Sequence, residues 1–273
     1  MKSQNLDALS RIVDLDKIEA AKNSINEANG LPNECYLNDE YFKIEREKVF
    51  FDNWIVVGVS SSVPEVGDAK PFNLMGIPLL ILRDKNNKIR VFHNVCSHRG
   101  MILVKEECKL KNTIRCPYHS WSYNFNGELI ATPHVGGMNI HETEGFIKSK
   151  SNLKEISTHV WMDLIFINVN KNKKDFEESI DPLEKQWSKF ISKEDQKLIR
   201  HARDFGYFNM EVKSNWKLAI ENYCESYHLP WVHPELNRVS NLKDHYHIED
   251  LAETFSGQGS NKYSQQFDGN KKL

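Results

Sequence analysis

The sequence predicts an α+β protein in which a β-rich block, residues 50–170, sits between two helix-containing segments, 1–49 and 171–273. Three observations lead there. Apolar residues recur at helical spacing through the first forty or so positions. From Trp54 they contract into short runs broken by turn signals, as strands do. Beyond the charged stretch Asn170-Lys171-Asn172-Lys173-Lys174-Asp175, which reads as a solvated connector, helical spacing returns.

In chain order, Leu6, Leu9, Ile12, Val13, Ile18 and Ala21 mark a first helical region, stopped by Gly30-Leu31-Pro32. A second helix starts near Asn38, because Asp39 and Glu40 suit the positive end of a helix dipole, and its Phe42, Val49 and Phe50 are expected to face a core. Trp54–Val57 and Pro78–Leu82 read as strands. Asp84–Lys88 forms a turn, and Ile89, Val91 and His93 alternate on the return strand. Asn126-Gly127 predicts a hairpin with a type I′ turn. Trp161–Val169 reads as one more strand. Asp181–Ile199 is expected to be helical, and Phe208, Met210 and Val212 to line one face of a half-buried strand. Ser214-Asn215 can cap a helix running from Trp216 to about His228.

Composition narrows the function classes. Lys and Arg number 36 against 38 Asp and Glu, for a formal net charge of −2, far from the basic excess of proteins that coat nucleic acid or anionic membrane. No apolar run approaches the roughly 18 residues of a membrane span, and the opening MKSQNLDALSRIVDLDK lacks the apolar stretch of a secretory signal. The expectation is a cytoplasmic protein with neither membrane nor nucleic acid as partner. Five cysteines, at 35, 96, 108, 116 and 224, are too few and odd in number for a disulfide framework, so they read as thiols or metal ligands. Cys108 and Cys224 read as packing residues.

Two Cys/His pairs carry the first chemical signal. Cys96-Ser97-His98 is followed, after seventeen intervening residues, by Cys116-Pro117-Tyr118-His119, each pair on a loop at a strand end. Zinc sites usually take a loop's pair as one residue type. Here each loop supplies one thiol and one imidazole, as a [2Fe–2S] cluster needs when one iron takes two thiolates and the other two imidazoles. A structural zinc site, or core cysteines beside surface histidines, are the competing readings. CSHRG with CPYHSW resembles the cluster-binding motif of the Rieske family. The resemblance implies that Cys96, His98, Cys116 and His119 hold the cluster, with Arg99, Gly100, Tyr118 and Trp121 as a shell that donates hydrogen bonds and excludes water. Neither loop has the extra cysteine of the respiratory-complex Rieske proteins, so the resemblance is to Rieske oxygenases and ferredoxins.

Residues 215–234 carry the second signal, NWKLAIENYCESYHLPWVHP. On a helix Glu221, Glu225 and His228 share one face. Five residues apart on an unbroken helix, His228 and His233 would diverge by about 140°. Pro230 cannot continue a regular helix and Pro234 disfavours α conformation at His233, so a bend just after His228 is expected to bring His233 back. The run Glu-x-x-His-x-x-x-x-His, with its flanking Asn215-Trp216-Lys217, resembles the mononuclear-iron motif of Rieske non-haem iron oxygenases. That resemblance implies His228 and His233 as iron ligands. It implies Glu225 as the carboxylate that bridges a neighbouring subunit's cluster histidine to the first iron histidine. Many members carry Asp there; Glu resembles the branch that attacks carnitine- and betaine-like quaternary amines.

The resemblance further implies a β-rich Rieske domain beside an incomplete helix-grip (START-like) catalytic domain. It implies the α (oxygenase) subunit of a system that hydroxylates, dihydroxylates or demethylates a small aromatic or quaternary-amine substrate with O2. Electrons would come from NAD(P)H through a separate reductase, with or without a ferredoxin, and the assembly would be a homotrimer or hetero-oligomer. The family's third iron ligand is an Asp far downstream, whereas this sequence ends forty residues after His233. Among Glu235, Asp244, Glu249, Asp250, Glu253 and Asp268 none lies in a convincing helix, which reads as a truncated catalytic domain, against recruitment of one of these nearby acids or a non-catalytic remnant. The alternative function is a Rieske-type electron carrier, which needs only the four cluster ligands.

Overall fold

The structure, a computed structural model, describes residues 9–24, 26–170, 175–202, 210–249 and 255–262. The chain separates into two compact units. One comprises Met1–Lys43, Glu177–Phe190 and Asn209–Leu273; the other comprises Ile44–Phe176 and Ile191–Phe208.

The N-terminal region is helical but broken into short pieces: α1 (Leu15–Ala20), α2 (Glu34–Leu37) and α3 (Asp39–Glu45). Asp14 caps α1 by accepting from the amide of Asp16, and Asn38 caps α3 by accepting from those of Glu40 and Tyr41. Leu6 lies outside the described residues. After α3 the helix widens into a π-helical stretch, Arg46–Phe51. The wider turn rotates the following side chains off the α-helical register. Phe51 is buried and Val49 exposed, so of Phe42, Val49 and Phe50, expected to share the core face, Val49 turns outward while Phe42 and Phe50 are half-buried.

The second unit is built on a seven-stranded antiparallel sheet. Its strands are β1 (Ile55–Val59), β2 (Asp68–Leu74), β3 (Ile77–Arg83), β4 (Ile89–His93), β5 (Cys108–Lys109), β9 (Glu155–Trp161) and β10 (Leu164–Asn168), ordered β1-β10-β9-β4-β3-β2-β5. Strands β6 (Ile114–Arg115), β7 (Ser122–Tyr123) and β8 (Leu129–Ala131) form a separate three-stranded sheet. Side chains alternate across the large sheet, and both faces are covered. Leu79, Ile81, Ile89, Val91, Ile165 and Ile167 pack on one side. Leu80, Leu82 and Phe92 pack on the other, against Ile114, Trp121, Tyr123 and both cysteines of the paired loops. Each fully buried side chain of this size contributes about 1.5–3 kcal/mol of transfer free energy, so this layer anchors the loops firmly.

Two turns differ from expectation. The 161–169 segment is the end of one strand and all of another: Trp161 pairs with Leu164 across a two-residue loop, Met162-Asp163, both at positive φ. That is the type I′ geometry expected at Asn126-Gly127. At Asn126-Gly127 only Gly127 has positive φ, at +82°, and the loop runs from Asn124 to Glu128. The Asn124 carboxamide accepts from the amides of Asn126 and Glu128, stabilising the longer turn. Met162-Asp163 is held by its surroundings instead. The buried Asp163 carboxylate accepts from the amides of Ser61 and His201. Cys108, expected to be buried, is exposed on the short strand β5.

Helix α4 (Phe176–Trp187) begins before Asp181, because Phe176 is anchored against Trp54, His159 and Phe166. It ends well short of Ile199, and Ser192 caps a separate turn, α5 (Lys193–Gln196). Phe208 and Asn209 lie outside the described residues, as does most of the 170–175 connector. Met210 and Val212 are exposed and in no strand, against the expected half-buried strand. The C-terminal part holds α6 (Trp216–Cys224), α7 (Leu229–Val232), α8 (Pro234–Val239) and a hairpin of β11 (His245–Glu249) with β12 (Ser256–Ser260). No helix among the described residues is long and apolar enough to cross a membrane.

Candidate metal centres

The two Cys/His loops have the same backbone geometry. In the first, which leaves β4, the Cys96 amide donates to Met101 O at 2.8 Å and the Gly100 amide donates to Cys96 O at 2.9 Å. In the second, between β6 and β7, the Cys116 amide donates to Trp121 O at 2.8 Å and the Ser120 amide to Cys116 O at 3.1 Å. Each loop reverses through one left-handed residue, Gly100 at φ +68° and Ser120 at φ +59°. Arg115 donates to the Ser120 hydroxyl and secures that turn. Asn94 locks the base of the first loop, its carboxamide donating to Val104 O and accepting from the Val104 amide.

The result is a sorted donor set. Cys96 and Cys116 are both 2% exposed and lie in the core layer. His98 is exposed and His119 half-buried, with ring centroids 4.7 Å apart. Trp121 stacks on His98 at 4.6 Å with an interplanar angle of 10°, and the Tyr118 ring lies 3.8 Å from that of His119. Phe146 supports Trp121 from behind. Burial raises the Cys96 thiol above its ordinary value, so a thiolate there needs a cation beside it. Desolvation, then the positive fields of His119 and Arg99, lower His98 and favour the neutral imidazole that a metal takes. Inward thiols and outward imidazoles, two and two, fit a [2Fe–2S] cluster in which each iron has one ligand type.

One contact escaped sequence reasoning. The Tyr123 hydroxyl lies 3.2 Å from Cys96 Sγ and 2.8 Å from Ser97 Oγ, and it accepts from the Ser97 amide. Burial and the neighbouring Cys96 push the Tyr123 phenol well above its ordinary range, so it stays an O–H donor. The Gly100 amide, by contrast, bonds a carbonyl rather than sulfur. Arg99 is exposed. The available clue was alternation: Tyr123 lies two residues beyond Trp121 and shares its inward face.

In the other unit, Asn215 caps α6 by accepting from the Lys217 amide, and it donates to Tyr36 O. Lys217 is buried, its ammonium 5.2 Å from the ring centres of Tyr36 and Trp216 and 5.5 Å from that of Tyr41. The Tyr36 hydroxyl donates to Glu221 at 2.7 Å. Helix α6 stops at Cys224, not near His228, and Glu225 is extended at φ −127°, ψ 160°. The bend therefore precedes His228. Pro230 explains this: a helix running through it would drive its ring into the Ser226 carbonyl, so the helix ends upstream and Pro230 sits in the first turn of α7.

Glu225 thus does not reach His228 along a helix face. It folds back over a turn, with one carboxylate oxygen against His228 Nδ1 and the other accepting from the His228 amide at 3.3 Å. His233, at φ −129° and ψ 60°, breaks the chain again before Pro234 opens α8. The two imidazoles come within 5.4 Å, centroid to centroid, at 76°. With Nδ1 of His228 occupied by Glu225, its Nε2 is the nitrogen left for a cation, and the pair fits two ligands of a mononuclear iron. Among the described residues no three His, Cys, Asp or Glu side chains gather as ligands of a single ion. Glu235 pairs with Arg238, and Asp244 lies 3.5 Å from Lys262. Glu249 is in β11, while Asp250, Glu253 and Asp268 lie outside the described residues.

Residues 53–144 match the Rieske [2Fe-2S] domain, and residues 199–273 match the catalytic domain of ring-hydroxylating alpha subunits. The carnitine monooxygenase oxygenase subunit of Escherichia coli (strain K12) is 30% identical over 222 residues, 81% of this chain and 56% of the relative. The glycine betaine monooxygenase oxygenase subunit of Pseudomonas aeruginosa is 28% identical over 207 residues, 76% of this chain and 45% of the relative. The crystal structure of the quaternary ammonium Rieske monooxygenase CntA in complex with an inhibitor superposes with a TM-score of 0.71. It is 27% identical, covering 81% of this chain and 59% of that one. The chain spans about half the length of the curated relatives it matches.

Proposed function

Because the chain joins a Rieske [2Fe–2S] domain to catalytic-domain sequence of the ring-hydroxylating alpha subunits, and so belongs to the Rieske oxygenases, we propose that it is an oxygenase component that hydroxylates or demethylates a quaternary-ammonium substrate with O2. The observation that carries this reading is the presence, in one chain, of a two-thiol, two-imidazole donor set and a separate pair of facing histidines gripped by Glu225. An electron carrier has no use for the second.

Cys96 and Cys116 would hold one iron of the cluster and His98 and His119 the other. His228 and His233 would supply two ligands of the mononuclear iron, and among the described residues no Asp or Glu joins them as a third. When bound, the cluster supplies electrons one at a time and the mononuclear iron supplies a site for O2 activation. The chain's own residues do the rest. Tyr123, Trp121 and Tyr118 set the polarity around the cluster ligands. Glu225 holds the Nδ1 proton of His228 and so orients its Nε2. The Glu225 side chain keeps about a quarter of its surface exposed, enough for a second subunit's cluster histidine to reach it. Electrons arrive from NAD(P)H through a reductase, and the chain works as an oligomer. The carnitine and glycine betaine substrates of the relatives favour a quaternary amine, as does Glu at position 225.

Iron and acid-labile sulfide analysis of the purified chain tests the reading. Three irons with two sulfides per chain, and O2 uptake stimulated by carnitine or glycine betaine, are expected. Two irons with two sulfides would identify a carrier, and a colourless zinc protein would refute both.

A further inference from the structure

We infer that Gln258 and His245 are positioning residues for the histidine pair, joining the chain end of α6 to that of α8 on either side of His228 and His233. The inference rests on the mononuclear-iron reading. Gln258, on β12, donates from Nε2 to Tyr223 O at 2.9 Å and to Glu225 O at 3.3 Å. Its Oε1 lies 3.1 Å from His245 Nδ1, and His245 Nε2 lies 2.8 Å from Ser240 Oγ.

The proton positions follow from the partners. Two carbonyl oxygens can only accept, so the amide face turned to them is the NH2. Oε1 then faces His245, which must carry its proton on Nδ1, and in the neutral ring Nε2 accepts from the Ser240 hydroxyl. Every group in the chain of contacts is satisfied in one direction only.

This order has a structural purpose. Tyr223 O is among the last carbonyls of α6, which have no partner within the helix. No glycine closes α6, because Glu225 follows in extended conformation. Gln258 takes over that capping task from a distant strand and fixes the main chain of Glu225, whose side chain grips His228. At the far end, Ser240 caps α8, the helix that His233 opens, through its amide to Leu236 O. The segment carrying both imidazoles is therefore tied at each end to the β11–β12 hairpin.

Anaerobic titration of the full chain with Fe(II), reading iron bound beyond the two of the cluster and the EPR signal of its nitric oxide adduct, tests the inference. Gln258→Glu keeps the size but sets an acceptor against two carbonyls. It is expected to weaken uptake of the third iron by roughly 10–100-fold and broaden the nitrosyl signal, with the visible spectrum of the cluster unchanged. His245→Leu should weaken uptake roughly 10-fold. His245→Asn places an N–H where Nδ1–H stood and should restore binding to within about twofold of the parent. Parent-like affinity in both Gln258→Glu and His245→Leu overturns the inference, as does His245→Asn behaving like His245→Leu. A parent chain that takes up no third iron overturns the mononuclear-iron reading and this inference with it.

Discussion

Replacing Tyr123 by Phe removes one hydroxyl from a fully buried ring and leaves its packing intact. The hydroxyl has a single proton and two acceptors within reach, Cys96 Sγ at 3.2 Å and Ser97 Oγ at 2.8 Å. Ser97 Oγ gives its own proton to Ser151 O, and a cluster-bound Cys96 has none to give. The phenol is thus the donor to both. A hydrogen bond to a charged group is worth about 1.5–3 kcal/mol, and it strengthens when an electron adds negative charge to the sulfur. With the proton shared, the part gained on reduction is about 1 kcal/mol. At 59 mV per tenfold for one electron, that is about 40 mV. Tyr123→Phe should therefore lower the cluster potential by about 40 mV in a spectroelectrochemical titration, while costing about 1 kcal/mol of stability. An unchanged potential, or a rise, would show that the phenol does not donate to the ligand sulfur.

Further outcomes follow from other contacts. Glu225→Gln should leave the cluster spectrum intact. It should slow re-oxidation of the reduced cluster by O2 in the presence of a quaternary-ammonium substrate by roughly 100-fold, measured by stopped-flow absorbance. Gly127→Ala forces a side chain into φ +82° and sets its Cβ 2.6 Å from the ring of the fully buried Phe92. Left-handed strain and overpacking together should cost about 2–4 kcal/mol in urea unfolding. Asn215→Ala removes the cap of α6 and the bond to Tyr36 O, for about 1–2 kcal/mol, seen as faster hydrogen exchange at the first-turn amides of that helix.

The strands were legible where burial is simple. Pro78–Leu82 and the Ile89/Val91 alternation sit in β3 and β4, because both strands lie inside a sheet covered on each face. Turns were less so. Asn126-Gly127 has the residues of a two-residue turn, yet Asn124 offers its carboxamide to a longer loop. Met162-Asp163 lacks those residues and makes the tight turn anyway, because Asp163 finds the amides of Ser61 and His201. The prolines around His228 did foretell a bend. Its position was missed because the clash of Pro230 acts four residues upstream, on Ser226, and not at Pro230 itself.

By itself the sequence determined which donors exist and how they are grouped. Cys96 with His98, Cys116 with His119, and Glu225 with His228 and His233 are each close along the chain, so loop geometry and proline stereochemistry suffice to bring each group together. Tertiary structure alone decided what surrounds them. Tyr123 reaches Cys96 from another strand, Tyr36 and Tyr41 enclose Lys217 from the N-terminal helices, and Gln258 caps α6 from the last hairpin. Such partners are far apart in sequence and leave no period or spacing to read. They meet because packing leaves each polar group few partners within reach, and that choice exists only once the chain has folded.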